Sequence, residues 1–121
     1  MKRALMSQYK QVKLGEFILA TKLTEKYELF LLLKVDASEY AIKFTFPANY
    51  PLVQPEVLAV SINRKYKIGE KICLGEVRKD TILEYIYLFM SKTMDEPDKY
   101  DIKNNIITDS IKEISDNIFD I

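Results

Sequence analysis

The stretch Tyr40-Ala41-Ile42-Lys43-Phe44-Thr45-Phe46-Pro47-Ala48-Asn49-Tyr50-Pro51-Leu52-Val53-Gln54-Pro55 decides how the rest of the chain is read. Tyr40, Ile42, Phe44 and Phe46 alternate with Ala41, Lys43 and Thr45. A period of two is that of a β-strand, whose successive side chains point to opposite faces. Four large apolar groups on one face need a cover, and a helix is the expected lid. Pro47 has no N–H to give to a ladder, so it ends the strand. Pro47, Pro51 and Pro55 are three of the four prolines in the chain. They make 47–55 a rigid, irregular segment in which Tyr50, Pro51 and Pro55 serve as architecture. Its X-Pro bonds are the chain's candidates for a cis peptide.

Upstream, Tyr27 to Val35 reads as a strong strand and Phe17 to Leu23 as a moderate one. Asp36, Ala37 and Ser38 supply the turn into the alternating segment. Residues 1–13 carry a helical stripe at Leu5, Tyr9 and Val12, with Gly15 as a stop and a basic face of Lys2, Arg3, Lys10 and Lys13. Downstream, Val57 to Ile62 reads as a short fourth strand. Ile82, Tyr85, Ile86, Phe89 and Met90 then form a helical stripe, capped by Asp80 or Thr81 and broken at Asp95-Glu96-Pro97-Asp98. Ile107, Ile111, Ile114 and Ile118 form a second stripe that packs either on the chain's own sheet or on a partner; the first is expected, because a small domain needs that area. The expected fold is α+β: an N-terminal helix, a four-stranded antiparallel meander and C-terminal helices on one face, in one domain spanning 1–121.

Composition narrows the chemistry. The 121 residues include 18 basic and 18 acidic side chains, so net charge is zero. No field favours nucleic acid or an anionic membrane surface. The longest apolar run, Leu29 to Leu33, is far too short to span a bilayer. No apolar run of signal-peptide length follows Met1-Lys2-Arg3, so secretion is not expected. One cysteine excludes an intrachain disulfide and fits a reducing, cytoplasmic setting. The chain has no histidine, which excludes Ser-His-Asp triads, Cys-His dyads and histidine-based zinc sites. Neither a metal nor any other cofactor is expected.

Two segments carry a resemblance. Phe44-Thr45-Phe46-Pro47 followed by Tyr50-Pro51 and Pro55 resembles the junction of the third and fourth strands in ubiquitin-conjugating enzymes. Gly69-Glu70-Lys71-Ile72-Cys73-Leu74 resembles their Gly-x-Ile-Cys-Leu stretch, with one extra residue after the glycine. The resemblance covers roughly residues 1–95. The Tyr-Pro-x-x-x-Pro pattern also marks RWD domains, which share that fold without the chemistry. The departures are specific. Where the family has His-Pro-Asn, this chain has Ser61-Ile62-Asn63, and the family's tryptophan is missing.

The resemblance implies that Cys73 is a catalytic thiol. It would accept a ubiquitin-like protein as a thioester from an activating enzyme and pass it to an amine or thiol. Such exchange needs a competent thiolate but no histidine base. If the segment is extended, Ile72 and Leu74 face one way and Cys73 the other, and two large apolar groups take the inward side. The competing account is a buried structural cysteine. The resemblance makes Asn63 a loop support or oxyanion donor, while residue type alone makes it a turn former. Tyr66 either lines the same groove or is an exposed loop tyrosine. Asp80, Asp95 and Asp98 either orient an incoming lysine or only cap and break helices. Lys2, Arg3 and Lys10 either dock the activating enzyme or only face solvent.

Three readings follow: a conjugating-type enzyme using Cys73, a non-catalytic or RWD-like domain that binds a ubiquitin-like protein or scaffolds a complex, and an unrelated α+β adaptor or secretion-chaperone-type protein.

Overall fold

The computed structural model describes residues 2–76 and 78–100. The elements in chain order are α1 (Lys2–Tyr9), β1 (Ile18–Leu23), β2 (Glu28–Val35), β3 (Ser38–Thr45), β4 (Glu56–Ala59) and α2 (Ile82–Asp95). The strands form one antiparallel sheet in the order β1-β2-β3-β4, a meander. The isoleucine stripe from Ile107 to Ile118 lies outside the described residues.

The β2–β3 hairpin organises the sheet. Leu29 pairs with Phe44, Leu31 with Ile42 and Leu33 with Tyr40. All six are buried, on one face. The connection is tighter than the expected three-residue turn, because Val35 already pairs with Ser38. Only Asp36 and Ala37 remain between the strands. Asp36 takes a φ of 55°, the left-handed conformation that two-residue hairpin loops require and that Asp tolerates better than most side chains. On the other side of β3, Val57 and Ala59 extend the same buried face.

Two elements end earlier than their apolar patterns. The first helix stops at Tyr9, not near Val12. The N–H groups of Gln11 and Val12 donate to the carbonyls of Gln8 and Tyr9 at 3.0 Å each, three residues back. That tighter turn still brings Val12 to the core, so the sequence stripe outlasts the helix. Lys10 and Lys13 therefore lie beyond α1. The fourth strand stops at Ala59 instead of Ile62. Val60 N–H still donates to the Ala41 carbonyl, but the Ala41 N–H donates to the Ser61 hydroxyl at 2.9 Å. A side chain has replaced the backbone acceptor, and the ladder ends there.

α2 covers the apolar face. Thr81 caps it, accepting from Glu84 N–H at 3.2 Å while its hydroxyl donates to the Glu84 carboxylate at 3.2 Å. The Glu84 carboxylate thus holds the capping hydroxyl itself, where a capping box would take the Thr81 N–H. Asp80 is not the cap. Ile82, Tyr85, Ile86 and Phe89 are buried beneath the helix, and the Phe89 ring meets Tyr40 edge-on at 6.3 Å. Each such side chain contributes roughly 1.5–3 kcal/mol on full burial.

The segment between β3 and β4 is fastened to both helices. Its Tyr50–Pro51 peptide is cis, and the Tyr50 ring packs edge-on against Phe46 at 4.8 Å. The Tyr50 hydroxyl donates to the Gln8 side-chain carbonyl. The same Gln8 oxygen accepts from Ile82 N–H at 3.1 Å, and the Gln8 amide donates to the Asp80 carbonyl at 2.8 Å. One α1 side chain thus satisfies a buried phenol and an orphan amide at the start of α2. Burial first, then the neighbouring Tyr85, push the Tyr50 hydroxyl far above the usual tyrosine range, against the lowering effect of its bond to Gln8.

Gln8→Ala leaves the Tyr50 hydroxyl and the Ile82 amide without this acceptor, and an expected loss of about 1–3 kcal/mol follows. Chemical denaturation checks the value. In the double variant Gln8→Ala/Tyr50→Phe the two losses fall short of additivity, because both remove the same bond.

Candidate functional site

Cys73 is placed by a short ladder along the outer edge of β4. Gly69 N–H donates to the Ala59 carbonyl at 2.8 Å, Ala59 N–H to Glu70 at 3.1 Å, and Ile72 N–H to Val57 at 2.8 Å. Lys71 sits opposite Leu58. The next pair in that register is Leu74 with Pro55, and Pro55 has no N–H to give. Pairing stops there. The Gln54 side-chain amide takes over, donating to the Gly75 carbonyl at 3.1 Å. Gly69 and Gly75, at φ of 80° and 92°, bend the chain into and out of the segment. A side chain at either position would be strained by that backbone conformation.

The alternation expected along this segment is present. Ile72 is buried, Leu74 packs partly against the core, and the Cys73 thiol is exposed. Cys73 is therefore not a buried structural residue. It borders a cavity of about 200 Å³ whose wall includes Gln54, Pro55, Glu56 and Lys71. Glu56 and Lys71 pair at 3.2 Å on the surface, an arrangement worth little in stability. Lys92 on α2 is held above the usual lysine range chiefly by its hydrogen bond to Glu96, with a smaller raising contribution from Cys73.

Asn63 is elsewhere. Its side-chain oxygen accepts from Lys65 N–H at 2.9 Å and Tyr66 N–H at 2.6 Å, and its amide donates to the Ser61 carbonyl at 3.3 Å. Those bonds make it the residue that turns the chain after β4. It lines a different, larger cleft of about 670 Å³, together with Asp36, Tyr40, Arg64, Lys65 and Asp98. Cys73 does not border that cleft. Asn63 and Asp98 are brought together, and Cys73 is not brought to them. Burial first, then Asp98, Tyr66 and Asp36, push the Tyr40 hydroxyl upward against a lowering hydrogen bond with Ser38.

The other candidates fall into place. Tyr66 is not an exposed loop tyrosine. It is buried, with its hydroxyl 2.9 Å from the Thr93 hydroxyl and its ring against Phe89. Its aromatic neighbours Tyr40 and Phe89 are remote in sequence, so no local pattern showed that it was core. Asp80 offers its backbone carbonyl to Gln8, and Asp95 is an exposed residue at the end of α2. Asp98 belongs to a strap. Lys99 and Tyr100 N–H groups donate to the Arg64 carbonyl at 2.6 and 2.9 Å. Glu96 steadies the strap by pairing with Lys92 and Lys99 at 2.9 Å each. Lys2, Arg3, Lys10 and Lys13 are all exposed. Among the described residues, no group of three or more Cys, Asp or Glu side chains is placed to hold a metal ion. No described helix is long and apolar enough to cross a membrane.

Two outcomes are expected. The Cys73 thiol reacts with a chromophoric disulfide under native conditions at a rate within about tenfold of that in denaturant, since no packing shields it. The two Lys partners hold the Glu96 carboxylate down at about 2, against a usual 4.5. A depressed carboxylate contributes stability above its unfolded value and loses it as pH falls through its folded value. Between pH 4.5 and 2 the wild type therefore loses denaturant resistance that Glu96→Gln, already lacking the charge, does not lose. Midpoints measured across that window for both proteins check this. No protein-family model matches the chain, and no curated protein matches it in sequence.

Proposed function

We propose that this chain is a divergent relative of the ubiquitin-conjugating enzymes that carries a ubiquitin-like protein as a thioester on Cys73. The observation that carries the reading is the exposure of Cys73 between two core-facing neighbours, at the point where Pro55 releases its segment from the sheet edge. The Ile-Cys-Leu stretch and the Tyr-Pro-x-x-x-Pro segment supply the family resemblance. In this reading the Cys73 thiolate attacks the thioester carbonyl on an activating enzyme. A new carbon–sulfur bond forms, the old one breaks, and the activating enzyme's cysteine leaves as thiolate. An amine or thiol acceptor then takes the acyl group and returns Cys73 to its free form. Lys2, Arg3 and Lys10 are the proposed contacts for the activating enzyme, and a reducing compartment such as the cytosol suits a free thiol carrier.

One observation favours a second reading, a non-catalytic domain that binds a ubiquitin-like protein or scaffolds a complex. Asn63, the remnant of His-Pro-Asn, spends its side chain on a turn and borders a separate cleft. An amide so engaged is poorly placed to serve an oxyanion at Cys73.

The two readings part in one experiment. The chain is incubated with its cognate activating enzyme, the ubiquitin-like protein and ATP. The expected product is an adduct that reductant removes and that Cys73→Ala abolishes, while Cys73→Ser gives a reductant-resistant ester. If the activating enzyme charges itself and no adduct reaches this chain, the enzymatic reading is lost and the binding reading stands.

A further inference from the structure

β1 ends the sheet on one side, and among the described residues no strand lies along its outer edge. The hydrogen-bond phase shows which groups that edge offers. Thr24 N–H donates to the Glu28 carbonyl at 2.9 Å, and Lys34 N–H to the Phe17 carbonyl at 2.8 Å. Antiparallel ladders alternate bonded with non-bonded pairs. Lys22–Phe30 and Ala20–Leu32 are therefore bonded pairs. Thr21 and Leu23, opposite Leu31 and Leu29, turn their N–H and C=O groups away from β2. An open edge is a template for another strand unless charge, proline or a bulge blunts it. β1 has one charged residue, Lys22, and no proline. Its bulge lies between Ile18 and Ala20 and leaves Ala20–Leu23 regular.

The registers open to such pairing single out the occupant. A strand pairs with its own copy antiparallel, about a two-fold axis. An axis at Lys22 opposes Lys22 to Lys22 of the second chain, two like charges at the closest spacing of the ladder. An axis at Leu23 opposes Thr21 to Glu25, which already belongs to the turn that leaves the strand. An axis at Thr21 has neither conflict. Lys22 then faces Ala20 of the second chain, Leu23 faces Leu19, and the two Thr21 residues exchange both backbone bonds. The same register carries Glu16 to Lys26 of the second chain, and symmetry carries Lys26 to Glu16. Both side chains are exposed, and neither is in an ion pair among the described residues. Phe17, 56% exposed, is carried to the second chain's turn at 24–27.

We propose that the outer edge of β1 pairs with the same edge of a second copy of this chain, antiparallel and centred on Thr21. The two four-stranded sheets become one, with the Glu16–Lys26 pairs at both ends of the seam. The segment bearing Cys73 lies along β4, at the far edge of each sheet. The dimer therefore leaves both thiols open, and the pairing is independent of any chemistry there.

The full chain tests it. Sedimentation across a concentration series is expected to show a monomer–dimer equilibrium, and a dissociation constant weaker than about 1 mM overturns the proposal. Glu16→Lys turns two attractive pairs repulsive and is expected to weaken association about fivefold, and adding Lys26→Glu restores it. Both changes lie at exposed positions, so the fold is kept. Register is read by disulfide formation in chains carrying Cys73→Ala. Ala20→Cys and Lys22→Cys chains, mixed in a glutathione buffer, are expected to give a covalent dimer of one chain of each kind, in large excess over what either gives alone, because position 20 meets position 22 and neither meets itself. Should a cysteine variant not fold, sedimentation of the wild type and the charge-reversed chains still decides. A dimer that Glu16→Lys does not weaken, that Lys26→Glu does not restore, or whose folded cysteine variants cross-link as well alone as mixed overturns the proposal.

Discussion

The pairing of β2 with β3 sets nearly everything else in the molecule. Because side chains alternate with a period of two, a slip of one residue would turn Leu29, Leu31 and Leu33, or Tyr40, Ile42 and Phe44, toward water. The two-residue connection at Asp36-Ala37 leaves no slack for such a slip, and the left-handed backbone of Asp36 gives it the twist that the strands need. With the register held, six apolar side chains stand on one face, and α2 has a surface to cover. Val57 and Ala59 extend that surface only because β4 pairs with β3 in matching phase. Gln8 then locks α1, the proline segment and the start of α2 onto the covered face through three hydrogen bonds from one amide group.

The candidate thiol depends on the same sheet at its far edge. The segment 69–72 borrows the unpaired side of β4, and Pro55 limits how far it can do so. A residue with an N–H at position 55 could extend pairing through Leu74 and draw Cys73 into a regular edge strand. Proline prevents that, and Gln54 and the positive-φ Gly75 carry the chain away instead. The exposure of Cys73 is thus a consequence of backbone hydrogen-bond bookkeeping as much as of the side chains beside it.

Much of this was legible in order of residues. The alternation at Tyr40–Phe46, the run at Leu29–Leu33 and the spacing of Ile82, Tyr85, Ile86 and Phe89 each name their element, because burial on one face imposes a period on the sequence. The orientation of Cys73 followed from the same rule applied to Ile72 and Leu74. Element ends were less legible. Val12 continues its apolar pattern past the last helical residue, since a turn can bury a side chain as well as an element can, and Ile62, beyond the end of β4, is only half-buried beside a cleft.

Sequence by itself determined the α+β class, the meander, the helix over Ile82, the absence of any histidine-based chemistry and the outward turn of Cys73, all of which rest on residue type and local period. Tertiary structure decided what local pattern cannot carry. It put Tyr66 in the core beside Tyr40, Phe89 and Thr93. It gave Gln8 its three partners, and it separated Asn63 from Cys73 into different hollows. These outcomes depend on contacts between residues far apart in the chain, and such contacts exist only once the β2–β3 register has brought the distant segments onto the same face.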